Sequence, residues 1–250
     1  PQSLAVRTLF PTPSRNQLVL DLSKEEVQDY IIEAVGKILS NANIEYVKWD
    51  MNRNMTEVGS ADLPADRQGE VMHRYMLGLY YVLETITSKF PNVLFESCSS
   101  GGGRFDPAML HYFPQIWTSD DTDAVERLKI QYGTSMVYPY SAMGAHVSAC
   151  PNHQVGRTTS FLMRCNVALP GQFGFELDLN KCTENELETA KQAITEYKML
   201  RSVFHRGDCY RLMSPFEGNL VAMNFVSEDK NTVALCRYVI KSYGGTKNVF

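Results

Sequence analysis

The sequence predicts a parallel α/β fold of barrel type that gives way to a short antiparallel β segment. Three observations lead there. An apolar strand, a polar or glycine-rich loop and a helical pattern recur as one unit; polar residues gather where the strands end; and after residue 205 the pattern becomes short runs separated by turns. At 250 residues the chain has the size of one (β/α) barrel, which typically needs about 250 residues.

The elements come in order. Residues 18–22 read as a strand, and Ser23 with Glu26 three positions on reads as a capping box for a helix through residue 39. A second unit begins with an apolar strand over 44–50, expected to be buried on both faces, crosses a loop with Gly59 and Pro64, and continues in a helix over about 70–89. That helix carries Met72, Tyr75, Leu79, Val82 and Ile86 at helical spacing, and Pro91 closes it. Val93, Leu94 and Phe95 open a third strand that passes Glu96, Ser97 and Cys98 into a glycine run, with a short segment around Met109 after it. A fourth strand, residues 116–118, ends on Ser119 and a cluster of aspartates ahead of a helix starting near Ala124. A weaker strand, residues 143–147, opens on Ser148, Cys150, Asn152 and His153, before a helical segment over 158–166.

Residues 184–204 form an amphipathic helix with Leu187, Ala190, Ile194 and Tyr197 on one face. Beyond it, 211–213, 220–226 and 232–238 read as antiparallel strands separated by turns at 217–219 and 227–231. The expected organisation is therefore a partial barrel over 1–205 and, over 206–250, the start of an antiparallel β-sandwich domain.

Composition narrows the function. A net charge of −4 with no Lys/Arg run excludes a nucleic-acid footprint, which needs a clustered basic face. Neutral or small substrates suit the chain better. No stretch approaches the roughly 18 consecutive apolar residues of a membrane span, and the N-terminus lacks a signal-peptide profile. Six cysteines without CxxC spacing speak against a zinc site and a disulfide scaffold, and for reduced thiols in a cytoplasmic protein. None of the five histidines lies in an HExxH pattern or a recognisable triad motif.

In parallel barrels the reactive groups sit on the loops after the strands' C-terminal ends. Asp50, Cys98, Asp120 and His153 each leave a different strand. Asp50 and Asp120 lie 70 residues apart (120 − 50 = 70), two βα units, which would set them across a barrel mouth. Two carboxylates over one cleft are the machinery of glycoside hydrolysis; in the retaining form they stand about 5–5.5 Å apart. Lys48 beside Asp50 would hold a nucleophile ionised, and the neighbouring Asp121 and Asp123 would favour a protonated Asp120 as the acid. The same acidic cluster also suits a helix N-terminus or Mg²⁺.

The run from Ser97 through Gly101, Gly102 and Gly103 to Arg104 lacks P-loop spacing and its lysine. Glycines there would let main-chain N–H groups approach a sugar hydroxyl, with Cys98 lining the pocket or simply buried. Trp49 and Trp117, the two tryptophans, would stack on a pyranose or pack in the core.

Three motifs in this order, Lys48-Trp49-Asp50-Met51-Asn52-Arg53, Glu96 through Asp106 with the glycine run, and Trp117 through Asp123, resemble those of the glycoside hydrolase family 36 α-galactosidases. The resemblance extends from residues 11–17 to 211–216. It implies a (β/α)8 TIM barrel, present here from about strand four, followed by an antiparallel β domain. It makes Asp50 the nucleophile and Asp120 the general acid/base. It places Arg15, Lys48, Asn52 and Cys98 against galactose, with Trp49 in the same segment and Gly101 in the cradle.

The activity that the resemblance implies is that of a retaining α-galactosidase acting on melibiose- or raffinose-type oligosaccharides through a covalent glycosyl-enzyme, without a cofactor and as a homo-oligomer at full length. These residues by themselves are expected to be inactive. The alternatives are an α-N-acetylgalactosaminidase or transglycosylase on the same scaffold, a sugar-binding module without turnover, and a Mg²⁺-dependent hydrolase using Asp120 and its neighbours.

Overall fold

The computed structural model describes residues 16–53, 55 and 58–240. They fall into two units, Pro1–Pro114 and Gln115–Phe250, each built on parallel strands.

The first unit contains α1 (Glu25–Asn41), β1 (Tyr46–Asp50), α2 (Val71–Lys89), β2 (Leu94–Cys98) and α3 (Pro107–Tyr112). β1 and β2 pair in parallel, from Tyr46 opposite Leu94 to Asp50 opposite Cys98. α2 buries Val71, Tyr75, Leu79, Val82 and Ile86, a stripe at helical spacing. Met72, counted on that stripe from the sequence, lies off it and is 42% exposed. The turn before the helix, Ala65–Glu70, is 3-10. Gly78 marks where the chain entering α1 crosses α2: a Cβ there would stand 1.8 Å from the Leu22 carbonyl oxygen, which accepts from Gln28 Nε2 at 2.8 Å.

Other expectations fail along the chain before α1. Residues 18–22 form no strand, only isolated bridge residues at Gln17 and Leu20, and Ser23 does not cap α1. The buried Asp21 takes Ser23 instead: its Oδ1 accepts from the Ser23 hydroxyl at 2.6 Å and the Ser23 N–H at 3.1 Å, while Oδ2 accepts from Ser60 Oγ at 3.0 Å. A buried carboxylate needs those donors more than a helix end open to water does. α1 therefore starts after Lys24 without a side-chain cap, its first turn carrying Glu25 and Glu26, a favourable placement for the helix dipole. β1 also departs from expectation. Its two ends are exposed and its centre is half-buried, because among the described residues β2 is its one partner.

The second unit holds β3 (Gln115–Trp117), α4 (Ala124–Thr134), β4 (Met143–Ser148), α5 (Phe161–Ala168), β5 (Gln172–Glu176) and α6 (Glu184–Arg206). β4 pairs in parallel with β3 on one side and β5 on the other. As the central strand it is almost fully buried, and Ala145 and Val147 pack with Phe161, Cys165, Ala190 and Ala193. β5 escaped the sequence reading because its five residues, with Gly174 in the middle, show little of the apolar pattern of a buried strand. α6 opens on a capping box, Thr183 with Glu186.

The three-stranded antiparallel sheet β6 (Asp208–Met213), β7 (Leu220–Val226) and β8 (Val233–Val239) comes next. It is bound to the rest of its unit by buried contacts. Phe225 meets Tyr140 and Phe204 edge-on at 5.2 and 5.1 Å, Tyr238 Oη donates to the Asn166 carbonyl at 2.8 Å, and Arg211 Nε donates to Ser135 Oγ at 2.9 Å. All six cysteines are free. No helix among the described residues is long and apolar enough to cross a membrane.

Candidate active site

Asp50 is the last residue of β1 and is exposed. Asn52 Nδ2 donates to its Oδ2, and Cys98 stands opposite it in register on β2. Asn52 is itself held, its Oδ1 accepting from the Ser100 backbone N–H at 3.3 Å and from Ser100 Oγ at 3.4 Å. Ser99 Oγ donates to the Met51 carbonyl at 3.0 Å. The loop after β2 thus grips the loop after β1 around the Asp50 carboxylate.

That grip depends on local backbone geometry. Ser100 and Gly101 both have positive φ, +48° and +83°, a region open to glycine and costly for most residues. The Ser99 N–H donates to the Gly101 carbonyl at 3.0 Å and the Gly103 N–H donates to the Ser99 carbonyl at 3.2 Å. A Cβ on Gly103 would lie 2.6 Å from that carbonyl oxygen. The glycine run makes a tight turn that returns the chain over its own strand end.

Side chains alternate along a strand, so Tyr46, Lys48 and Asp50 share one face of β1. Opposite Lys48 is Glu96, fully buried at 0% exposure. Lys48 Nζ stands 3.6 Å from Glu96 Oε1, and Tyr46 Oη donates to Glu96 Oε2.

Cys98 is 2% exposed. Burial pushes its thiol up to about 11, and the adjacent Asp50 carboxylate adds to the shift. The thiol is protonated at neutral pH, and no nucleophile. A cavity of about 210 Å³ beside Asp50 is lined by Trp49, Arg53, Tyr75 and Arg104 together with apolar residues of the chain before α1. Burial lowers the Arg104 guanidinium from its ordinary value, while Tyr75 and Asp50 oppose that shift. Trp49 is half-buried and tilted against Phe113, with ring centroids 6.2 Å apart.

In the second unit Asp120 is exposed just past β3. The acids after it do local work. Asp121 Oδ1 accepts from the Asp123 N–H at 3.0 Å, and the buried Asp123 caps α4, accepting from Val125 and Glu126 N–H, both at 3.0 Å. Arg157 pairs with Asp123 and, at 3.2 Å, with Glu126. Asn152, buried in the loop after β4, donates to Thr122 Oγ1 at 3.0 Å, and Gln154 Oε1 accepts from the Thr122 N–H at 3.1 Å. Two strand-end loops are thereby tied together around Asp120, while His153 is exposed.

Trp117 is 3% exposed. It stacks on His146 at 4.6 Å with the Arg127 guanidinium over its ring at 4.7 Å, so it packs in the core. Arg15 lies outside the described residues. Sequence reasoning gave no role to Glu96, Tyr46 or Ser100. A glutamate in the middle of an apolar strand was the available signal, since a buried acid must find a cation or donors.

Parallel strands with helices between them and polar groups at their C-terminal ends define the (β/α)-barrel class. The Melibiase family model matches residues 3–207, and the chain belongs to that family. It is 64% identical over 217 residues to the α-galactosidase AgaA of Geobacillus stearothermophilus, covering 87% of this chain and 30% of AgaA. It is 51% identical over 221 residues to the α-galactosidase Mel36A of Lactobacillus acidophilus, covering 88% of this chain and 30% of that protein. The crystal structure of AgaA, a GH36 α-galactosidase, superimposes with a TM-score of 0.95 at 56% identity, over 98% of this chain and 34% of that one. The fold is therefore that of a GH36 barrel portion with the antiparallel sheet that comes after it. The chain spans about a third of the length of these relatives. Variants of AgaA have been crystallised with raffinose and with stachyose; each carries a substituted aspartate, and the two aspartates are 70 residues apart in that enzyme.

Proposed function

We propose that the chain carries the catalytic carboxylates of a retaining α-galactosidase that removes terminal α-galactosyl residues from raffinose-, stachyose- or melibiose-type oligosaccharides. One observation carries the reading: Asp50 presents an exposed carboxylate at a parallel strand end, steadied by Asn52 and framed by the glycine turn. The spacing of the aspartates substituted in the AgaA oligosaccharide complexes equals that of Asp50 and Asp120, which supports the choice of pair.

In this reading residues 1–205 belong to the barrel and 206–250 begin the β domain. Asp50 attacks the anomeric carbon and Asp120, protonated, donates to the departing oxygen. Asp120 as carboxylate then takes a proton from the water that breaks the glycosyl–Asp50 ester, so configuration is retained over two inversions. Lys48, Asn52, Cys98 and Gly101 contact the galactosyl hydroxyls, with Trp49 at their side and Arg15 completing the set. Asn52 holds the carboxylate in one rotamer, which favours attack by orientation.

The test is chemical rescue in the full-length protein. An Asp50→Gly variant, inactive by itself, regains turnover with azide and yields β-galactosyl azide. Rescue at another carboxylate, with none at Asp50, overturns the assignment.

A further inference from the structure

The proposed chemistry makes no use of Glu96, yet this fully buried carboxylate lies directly opposite a residue that it does use. It sits at the centre of β2 in register with Lys48, just as Cys98 is in register with Asp50. Lys48 and Asp50 share a face of β1, and Glu96 and Cys98 share the matching face of β2. One carboxylate oxygen faces the Lys48 ammonium at 3.6 Å, and the other receives the hydroxyl of Tyr46, two residues back on the same face. Withdrawing a carboxylate completely from water is unfavourable unless it is paired and hydrogen-bonded, and an apolar side chain would fill the same place in the strand without that cost. A lysine ammonium rides on a flexible four-carbon stem, so its location is undefined until something anchors it.

We propose that Glu96 is a positioning residue of the galactosyl subsite: its buried carboxylate, clamped by Tyr46, anchors the Lys48 ammonium where a sugar hydroxyl meets it. This inference rests on the reading of Lys48 as a sugar contact. Glu96 itself touches no substrate.

The test is a double-mutant cycle in the full-length protein with p-nitrophenyl α-galactopyranoside. Glu96→Gln, nearly isosteric but uncharged, raises KM about tenfold and changes kcat less than threefold; Glu96→Asp recovers part of the loss. In the Lys48→Met background, Glu96→Gln adds nothing further to KM, because the residue acts through Lys48. Lys48→Met also lowers Tm by removing the ammonium that faces the buried carboxylate, and adding Glu96→Gln brings Tm back up. An effect of Glu96→Gln on KM that multiplies with that of Lys48→Met, or a KM within twofold of the parent, overturns the proposal. A Lys48→Met variant with unchanged KM overturns the sugar-binding role beneath it. Should Glu96→Gln fail to fold, Tyr46→Phe probes the same clamp: a threefold rise in KM that vanishes beside Lys48→Met upholds it, and an equal rise in both backgrounds overturns it.

Discussion

Asn52 joins two loops through one amide: its Nδ2 donates to the Asp50 carboxylate while its Oδ1 accepts from the Ser100 N–H at 3.3 Å. The strand-end acid and the glycine turn are therefore positioned by the same side chain, whose residue stands two places after the acid.

Asn52→Ala removes both bonds at once. A hydrogen bond to a charged group contributes about 1.5–3 kcal/mol, so kcat/KM on a nitrophenyl galactoside is expected to fall roughly 10- to 150-fold. Unchanged kinetics would remove Asn52 from the site.

Gly103→Ala forces a Cβ to within 2.6 Å of the Ser99 carbonyl oxygen. Overpacking of that kind costs about 1–3 kcal/mol, read as a lower urea midpoint. Gly218→Ala is the control, since a Cβ there meets nothing within 4 Å, and its midpoint is expected to move by no more than about 0.5 kcal/mol equivalent. Equal behaviour of the two variants would show that the turn yields freely.

Two of the three aspartates in the loop after β3, Asp120 and Asp123, separate by readout. Asp123 is buried, caps α4 and pairs with the partly exposed Arg157, so Asp123→Ala is expected to lose about 1–3 kcal/mol, mostly the cap with a small ion-pair share. Asp120→Asn should leave Tm in place and abolish turnover of substrates with poor leaving groups. Thermal scans run beside activity assays decide it; a large Tm drop in Asp120→Asn would make that residue structural.

Stability is expected to decline on mild acidification through His205. Burial lowers its pKa below the ordinary 6.5, and Nε2–H donates to the Gly171 carbonyl at 3.0 Å. The neutral ring is the form the fold accepts, whereas the unfolded chain binds the proton more readily. The contribution is thus complete above about 6.5 and is lost as pH falls from there through the lower folded-state value. His205→Gln, which retains an N–H donor, should flatten the dependence of Tm on pH between about 7 and 5. An unaltered slope would exclude His205 as its source.

Much of the fold was legible because its signals are local. Strand, loop and helix alternate over a few residues at a time, and β7 falls on the stretch read from the sequence, residues 220–226. β5 was not legible, since five residues around a glycine carry too little pattern to mark a strand. Ser23 misled for a related reason. Its spacing to Glu26 is that of a capping box, but a buried aspartate two residues earlier competed for its hydroxyl.

The family, the order of the parallel units and the acids that end their strands could all be read along the chain, because motif and periodicity are linear signals. Which side chains meet was settled by packing alone. The fold set Glu96 beneath Lys48 and Ser100 against Asn52, partners 48 residues apart in each case (96 − 48 and 100 − 52); it enclosed Trp117 between packed groups; and it divided the acids after β3 into a helix cap and an exposed carboxylate. Those pairings depend on strand register and burial, which arise only when distant segments exclude water from one another, and no spacing along the chain encodes them.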